Sequence, residues 1–132
     1  RKKGAGIVVA HGESPVEPVL PGTNAAAISA GVDILAHPGY ISEGDAALAR
    51  EKGVCLEITT REGHSKGNEH VFEVASKAGA DMVLCTDSHS PEDLLTLDRR
   101  NDMLAALTDS EEEILKVIAN SQRIVDRCTD KR

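Results

Sequence analysis

Ala78-Gly79-Ala80-Asp81-Met82-Val83-Leu84-Cys85-Thr86-Asp87-Ser88-His89 is the stretch that decides the fold. Gly79 stops a helix, Met82 to Cys85 form an apolar run of strand length, and the polar Thr86-Asp87-Ser88-His89 follows at once. Ser90-Pro91-Glu92-Asp93 then opens a helix. The unit therefore predicts helix, strand (about Asp81 to Thr86), turn and helix, with a carboxylate and an imidazole where the strand gives way. Ala30-Gly31-Val32-Asp33-Ile34-Leu35-Ala36-His37 nearly repeats it upstream, and Gly53 precedes a third apolar run, Val54 to Thr59.

Working outward, Ile7 to Ala10 predicts a first strand, buried on both faces, that ends at His11-Gly12-Glu13. Helices are predicted from about Asn24 to Ala30 with Thr23 as cap, from Glu43 to Lys52 with Ser42 as cap, and from Asn68, itself the cap, to Gly79. Strands alternating with helices of about ten residues make βα units and a parallel sheet, an α/β fold. From residue 91 the chain turns helical. We expect one helix over Pro91 to Leu107, a second over Glu111 to Asn120 behind Thr108-Asp109-Ser110, and a short piece over Gln122 to Arg127. Residues 91–132 read as a cover for a single domain over 1–132. Arg1-Lys2-Lys3-Gly4 reads as the end of a helix, so the chain is expected to begin mid-domain.

The chain has 132 residues and a formal charge of −7. Without a basic stripe, a nucleic-acid backbone is not the expected partner. One Phe, one Tyr and no Trp offer no platform for stacking bases. Three cysteines without Cys-x-x-Cys spacing read as reduced, buried thiols, and with no signal peptide or membrane-length apolar run the expected location is cytoplasmic.

His11, His37 and the Asp87/His89 pair each fall at or just past the C-terminal end of a different strand. Those ends share one face in a parallel sheet, so four side chains converge that suit zinc, manganese or iron. Glu57, inside the third strand, is either a support for that site or a carboxylate paired within the fold. In the loop after it, Arg61, His64 and Lys66 can grip a phosphate, against the plainer reading of a solvated loop. Glu13 reads as a surface residue.

Val9-Ala10-His11-Gly12-Glu13, Asp33-Ile34-Leu35-Ala36-His37-Pro38-Gly39, Leu56-Glu57-Ile58 and Thr86-Asp87-Ser88-His89-Ser90, in this order, resemble the later motifs of the PHP (polymerase and histidinol phosphatase) family, over roughly residues 1 to 95. The resemblance implies the C-terminal part of a distorted (βα)7 TIM-like barrel. It also implies a metal-dependent phosphoesterase, histidinol-phosphatase-like, with up to three divalent ions (Zn, Mn or Fe) and a small phosphorylated substrate. His11, His37, Asp87 and His89 match metal-ligating and catalytic residues, one histidine protonating the leaving group. The family's opening His-x-His, a following His and an early Glu are not in this sequence, so the chain alone is expected to be an incomplete enzyme that binds metal weakly and turns over only when the missing N-terminal half is supplied. Two alternatives stand beside this reading. One is another metal-dependent barrel hydrolase, amidohydrolase-like. The other is a non-catalytic partial barrel that self-associates or docks to the missing N-terminal half.

Overall fold

The computed structural model describes residues 4–129; Arg1 to Lys3, taken above for a helix end, lie outside them. Four strands, β1 (Val9–His11), β2 (Ile34–Ala36), β3 (Cys55–Thr59) and β4 (Met82–Cys85), form one sheet in chain order, every neighbouring pair parallel. Helices α1 (Thr23–Ser29), α2 (Glu43–Lys52) and α3 (Asn68–Ala78) make the crossovers, and α4 (Leu97–Ala105) and α5 (Glu111–Thr129) follow. The α/β class and the parallel sheet are as the βα grammar predicts. Among the described residues no helix is long and apolar enough to cross a membrane.

Alternation along the strands sorts the core. Leu35, Leu56, Ile58 and Met82 pack with Ile28, Ala46, Ala49, Val71, Phe72 and Ala75 of α1 to α3. Small alanines let the helices lie close, and burial of each large aliphatic side chain contributes about 1.5–3 kcal/mol. Ile34, Cys55 and Val83 form a smaller cluster closed by Ile124 of α5. Cys55, Cys85 and Cys128 are free thiols, and burial pushes the Cys85 thiol up to about 12, so it stays protonated.

Helix ends explain where the units stop. Ser42 accepts from Asp45 N–H at 3.0 Å, and Gly53 closes α2 at φ 67, as expected. Two other caps differ. Thr23 is the first residue of α1 and donates its hydroxyl back to Leu20 O; the N-terminal amides of Gly22 and Asn24 are taken by Glu13 Oε1, at 2.8 and 3.1 Å. Glu13 is thus a half-buried capping carboxylate rather than a surface residue. Asn68 turns inward, and Thr59 N–H and Thr59 O share its amide at 3.1 and 2.8 Å. It ties α3 to the end of β3.

The expected strand over Ile7 to Ala10 is shifted to Val9–His11, and Val9 is 56% exposed, because β1 has a partner only in β2 and lies at the sheet's edge. The helix expected over Pro91 to Leu107 is instead a 3-10 turn, Pro91–Asp93, an extended Leu94, and α4. The two C-terminal pieces are one helix, α5. Asn120 and Ser121, polar residues that interrupt its apolar pattern, bond the backbone of β4: Asn120 Nδ2 donates to Met82 O at 3.0 Å and Ser121 Oγ accepts from Leu84 N–H at 3.1 Å. The helix thereby covers the outer edge of β4.

Candidate functional site

Three loops at the C-terminal ends of the strands cross where glycine is required. A Cβ at Gly12 would lie 2.7 Å from Ala36 O, and one at Gly39 would collide with the Glu13 carbonyl. Any side chain there would part the loops after β1 and β2. Asn24 locks the crossing from α1, accepting from Glu13 N–H at 2.9 Å and donating to Pro38 O at 2.9 Å. His11, His37 and His64 are brought together as a result.

The imidazoles of His11 and His37 have centroids 4.5 Å apart, those of His37 and His64 4.3 Å, and those of His11 and His64 6.1 Å. Glu17, from the Pro-rich loop after β1, reaches over them: Oε2 lies 2.8 Å from His11 Nε2 and Oε1 3.8 Å from His64 Nε2. Ser14 Oγ contacts His64 Nδ1 at 2.5 Å. The ring that the sequence assigns to an open phosphate loop is therefore buried in the histidine cluster, beside residues the sequence left unassigned. Glu17 and Ser14 sit in an aperiodic loop, where spacing carries no signal.

Beneath the cluster, buried Glu57 accepts a hydrogen bond from His37 N–H. Its Oε2 is also 2.9 Å from His37 Nδ1, so the carboxylate pairs with that nitrogen, while His37 Nε2 is buried without a hydrogen-bond partner among the described residues. An unsatisfied buried polar group costs about 1–3 kcal/mol. Glu57 is thus a buried carboxylate paired within the fold, and its partner is His37. Burial alone would lower the pKa of His37, but Glu57, with Asp87 and Glu17, outweighs it and draws the value up. His64 moves down, through burial and then the charge of His37. Glu17 is lowered chiefly by its contact with His11. Positive charge is favoured at His37.

Asp87 and His89 are exposed at the same end of the sheet. His89 Nδ1 folds back to Asp87 O at 2.6 Å. His37 and Asp87, just past the ends of β2 and β4, are also, among the described residues, the non-glycine residues with positive φ, 32° and 46°. Such backbone costs of order 1–3 kcal/mol per residue. Among the described residues no three His, Cys, Asp or Glu side chains already converge as a metal cage. The donor set that suits a divalent ion is the buried His37 Nε2, without a hydrogen-bond partner among the described residues, with Glu57 and Glu17 beside the cluster.

Arg61 lies apart from the histidines. It lines a cleft of about 550 Å³ with Thr60, Thr86, Asp93 and Arg99, and its Nη1 is 3.3 Å from Asp93 Oδ2. The same carboxylate oxygen accepts from the backbone N–H of His89 at 2.8 Å and Ser90 at 3.0 Å, stapling the Asp87 to His89 turn to Arg61. Asp93 reads in the sequence only as a helix-start residue, and its capping box with Ser90 is formed. Lys66 is exposed on the 3-10 turn His64–Gly67.

No protein-family model matches the chain. The chain is similar to an uncharacterized protein of Methanocaldococcus jannaschii, 48% identical over 93 residues, which is 70% of this chain and 43% of that protein. It spans less than half the length of this relative.

Proposed function

We propose that the chain contributes the later strands of a distorted (βα)7 barrel of the PHP type, and that it serves in metal-dependent hydrolysis of small phosphate esters. The observation that carries this reading is His37. Its Nε2 is buried without a hydrogen-bond partner among the described residues, in a ring held by Glu57 and set between two further imidazoles, at the C-terminal end of a parallel strand. Buried polar groups are nearly always met by a partner, and a bound cation or substrate would be that partner here.

His11, His37, Asp87 and His89 would hold zinc, manganese or iron. Bound divalent ions would supply hydroxide at neutral pH and neutralise charge on the phosphoryl oxygens. Glu57 fixes the His37 ring by holding its backbone and flanking Nδ1. Ser14 contacts His64 Nδ1, and Arg61, His64 and Lys66 would grip the phosphate. A ring of the cluster that carries a proton can give it to the departing alkoxide.

Hydrolysis of an aryl phosphate, set against an amide substrate, with and without added manganese, tests the reaction class. Manganese-dependent release from the phosphate alone supports the proposal. Release from the amide alone would transfer the site to amidohydrolase-like chemistry. A second reading has its own observation: the unpaired outer edge of β1, with Val9 exposed, suits a non-catalytic partial barrel that docks to a further strand. Purified protein that takes up no metal and hydrolyses neither substrate would favour it.

A further inference from the structure

We propose that the cleft beside the Asp87 to His89 turn receives the leaving-group half of the ester, and that Arg99 selects leaving groups bearing a second anionic group, a carboxylate or another phosphate. The inference rests on the phosphate-ester reading and adds the substrate class. Its volume of about 550 Å³ falls in the range of small-molecule sites. Its walls carry Thr60, Thr86, Arg61, Glu62, Asp93 and Arg99 and no aromatic ring. Hydroxyls and guanidinium groups suit a polar, oxygen-rich ligand.

The charges in the cleft are unequally engaged. Asp93 is committed, its Oδ2 accepting from His89 N–H, Ser90 N–H and Arg61. Arg61 directs Nη1 to that carboxylate and keeps other donors of its fork. The Arg99 guanidinium has no side-chain partner among the described residues, and only its backbone N–H is bonded, to Thr96 Oγ1. Glu62 and Arg99 are both exposed to solvent, where each charge is partly screened. Two guanidinium forks thus face a cleft joined through Asp93 to the turn that carries Asp87 and His89. A phosphoryl group at that turn leaves its alcohol portion to extend toward Arg99. There a planar carboxylate or a phosphate finds paired N–H donors.

The test is calorimetric binding of matched esters to the whole chain in EDTA, so that turnover plays no part. Glycerol 3-phosphate is compared with 3-phosphoglycerate, and fructose 6-phosphate with fructose 1,6-bisphosphate. The expected preference for the doubly anionic member is about tenfold in one or both pairs, falling to less than about threefold in Arg99→Gln. The pair that shows it tells carboxylate from phosphate. Lys52→Gln, which removes a charge outside the cleft, should keep the ratio. No preference, no binding, or a preference untouched by Arg99→Gln would overturn the inference. Preference in binding without hydrolysis would leave it standing while the phosphoesterase reading fell; hydrolysis without preference would do the reverse.

Discussion

The two ends of the sheet are built on opposite terms. At the N-terminal ends of β2 and β4, the near-repeat Ala-Gly-x-Asp supplies Asp33 and Asp81, and α5 answers each of them. Arg127 pairs with Asp33, and Arg123 with Asp81 at 2.8 Å. The two arginines are four residues apart on one helix face, so a repeat in the strands is matched by one helical turn. Asp33 also accepts from Val8 N–H at 2.8 Å. At the C-terminal ends, pairs such as His37–Glu57 and His11–Glu17 sit beside a buried His37 Nε2 without a hydrogen-bond partner among the described residues, and His37 and Asp87 carry left-handed backbone. One end is held by ion pairs and the other keeps a buried unpartnered nitrogen and strained backbone, which is how a scaffold separates stability from chemistry.

That contrast breaks most visibly if the open end is emptied. Asp87→Asn, which suits the left-handed backbone at φ 46°, should weaken metal binding and manganese-dependent hydrolysis together, by more than about a hundredfold, with little change in melting temperature because Asp87 is exposed. Activity retained with metal lost would end its assignment as a ligand. Glu57→Gln keeps the shape beneath His37 and removes the charge; metal affinity measured by competition with a chromophoric chelator should fall about 10–100-fold. An unchanged affinity would make Glu57 a structural carboxylate only.

Substitutions at the closed end should do the opposite. Asp33→Ala leaves Val8 N–H without its acceptor and Arg127 without its partner, and should cost about 2–3 kcal/mol in urea unfolding while metal affinity holds. Loss of metal on this substitution would show that the two ends are not independent. The smallest effect is expected at Asp81. Burial would raise its carboxyl, but Arg123 and Lys116 outweigh that and hold it below its ordinary value of 3.8. A lowered folded value means that the contribution is present above 3.8 and lost as pH falls through the folded value. Asp81→Asn should therefore flatten the most acidic limb of the stability profile, by less than about 1 kcal/mol, since its partners are largely exposed.

Sequence patterning and the fold agree where a local rule governs. Gly53 and Gly79 end helices in left-handed conformation, Ser42 caps α2, and the alternation of units yields a parallel sheet. They part where a tertiary contact overrides the local signal. Asn68 has the chemistry of a cap but spends it on Thr59. Asn120 and Ser121 look like a break in a helix because their partners lie on β4. The apolar run before His11 suggests two covered faces, yet an edge strand covers fewer. At the strand ends, the positions of His11, His37, Asp87 and His89 are legible because the end of each apolar run marks them, and the ring cluster joins the first two to His64. Glu17, Ser14, Asp93 and Arg99 lie in loops or helix starts, where only the fold shows what they face.

The central claim is that the histidine cluster at the C-terminal strand ends is a place for a divalent ion. Calorimetric titration of zinc or manganese into the chain and into His37→Ala at neutral pH tests it most directly. The account predicts saturable binding to the chain and at least about tenfold weaker binding after the substitution. Equal binding by both proteins, or none by either, would contradict it.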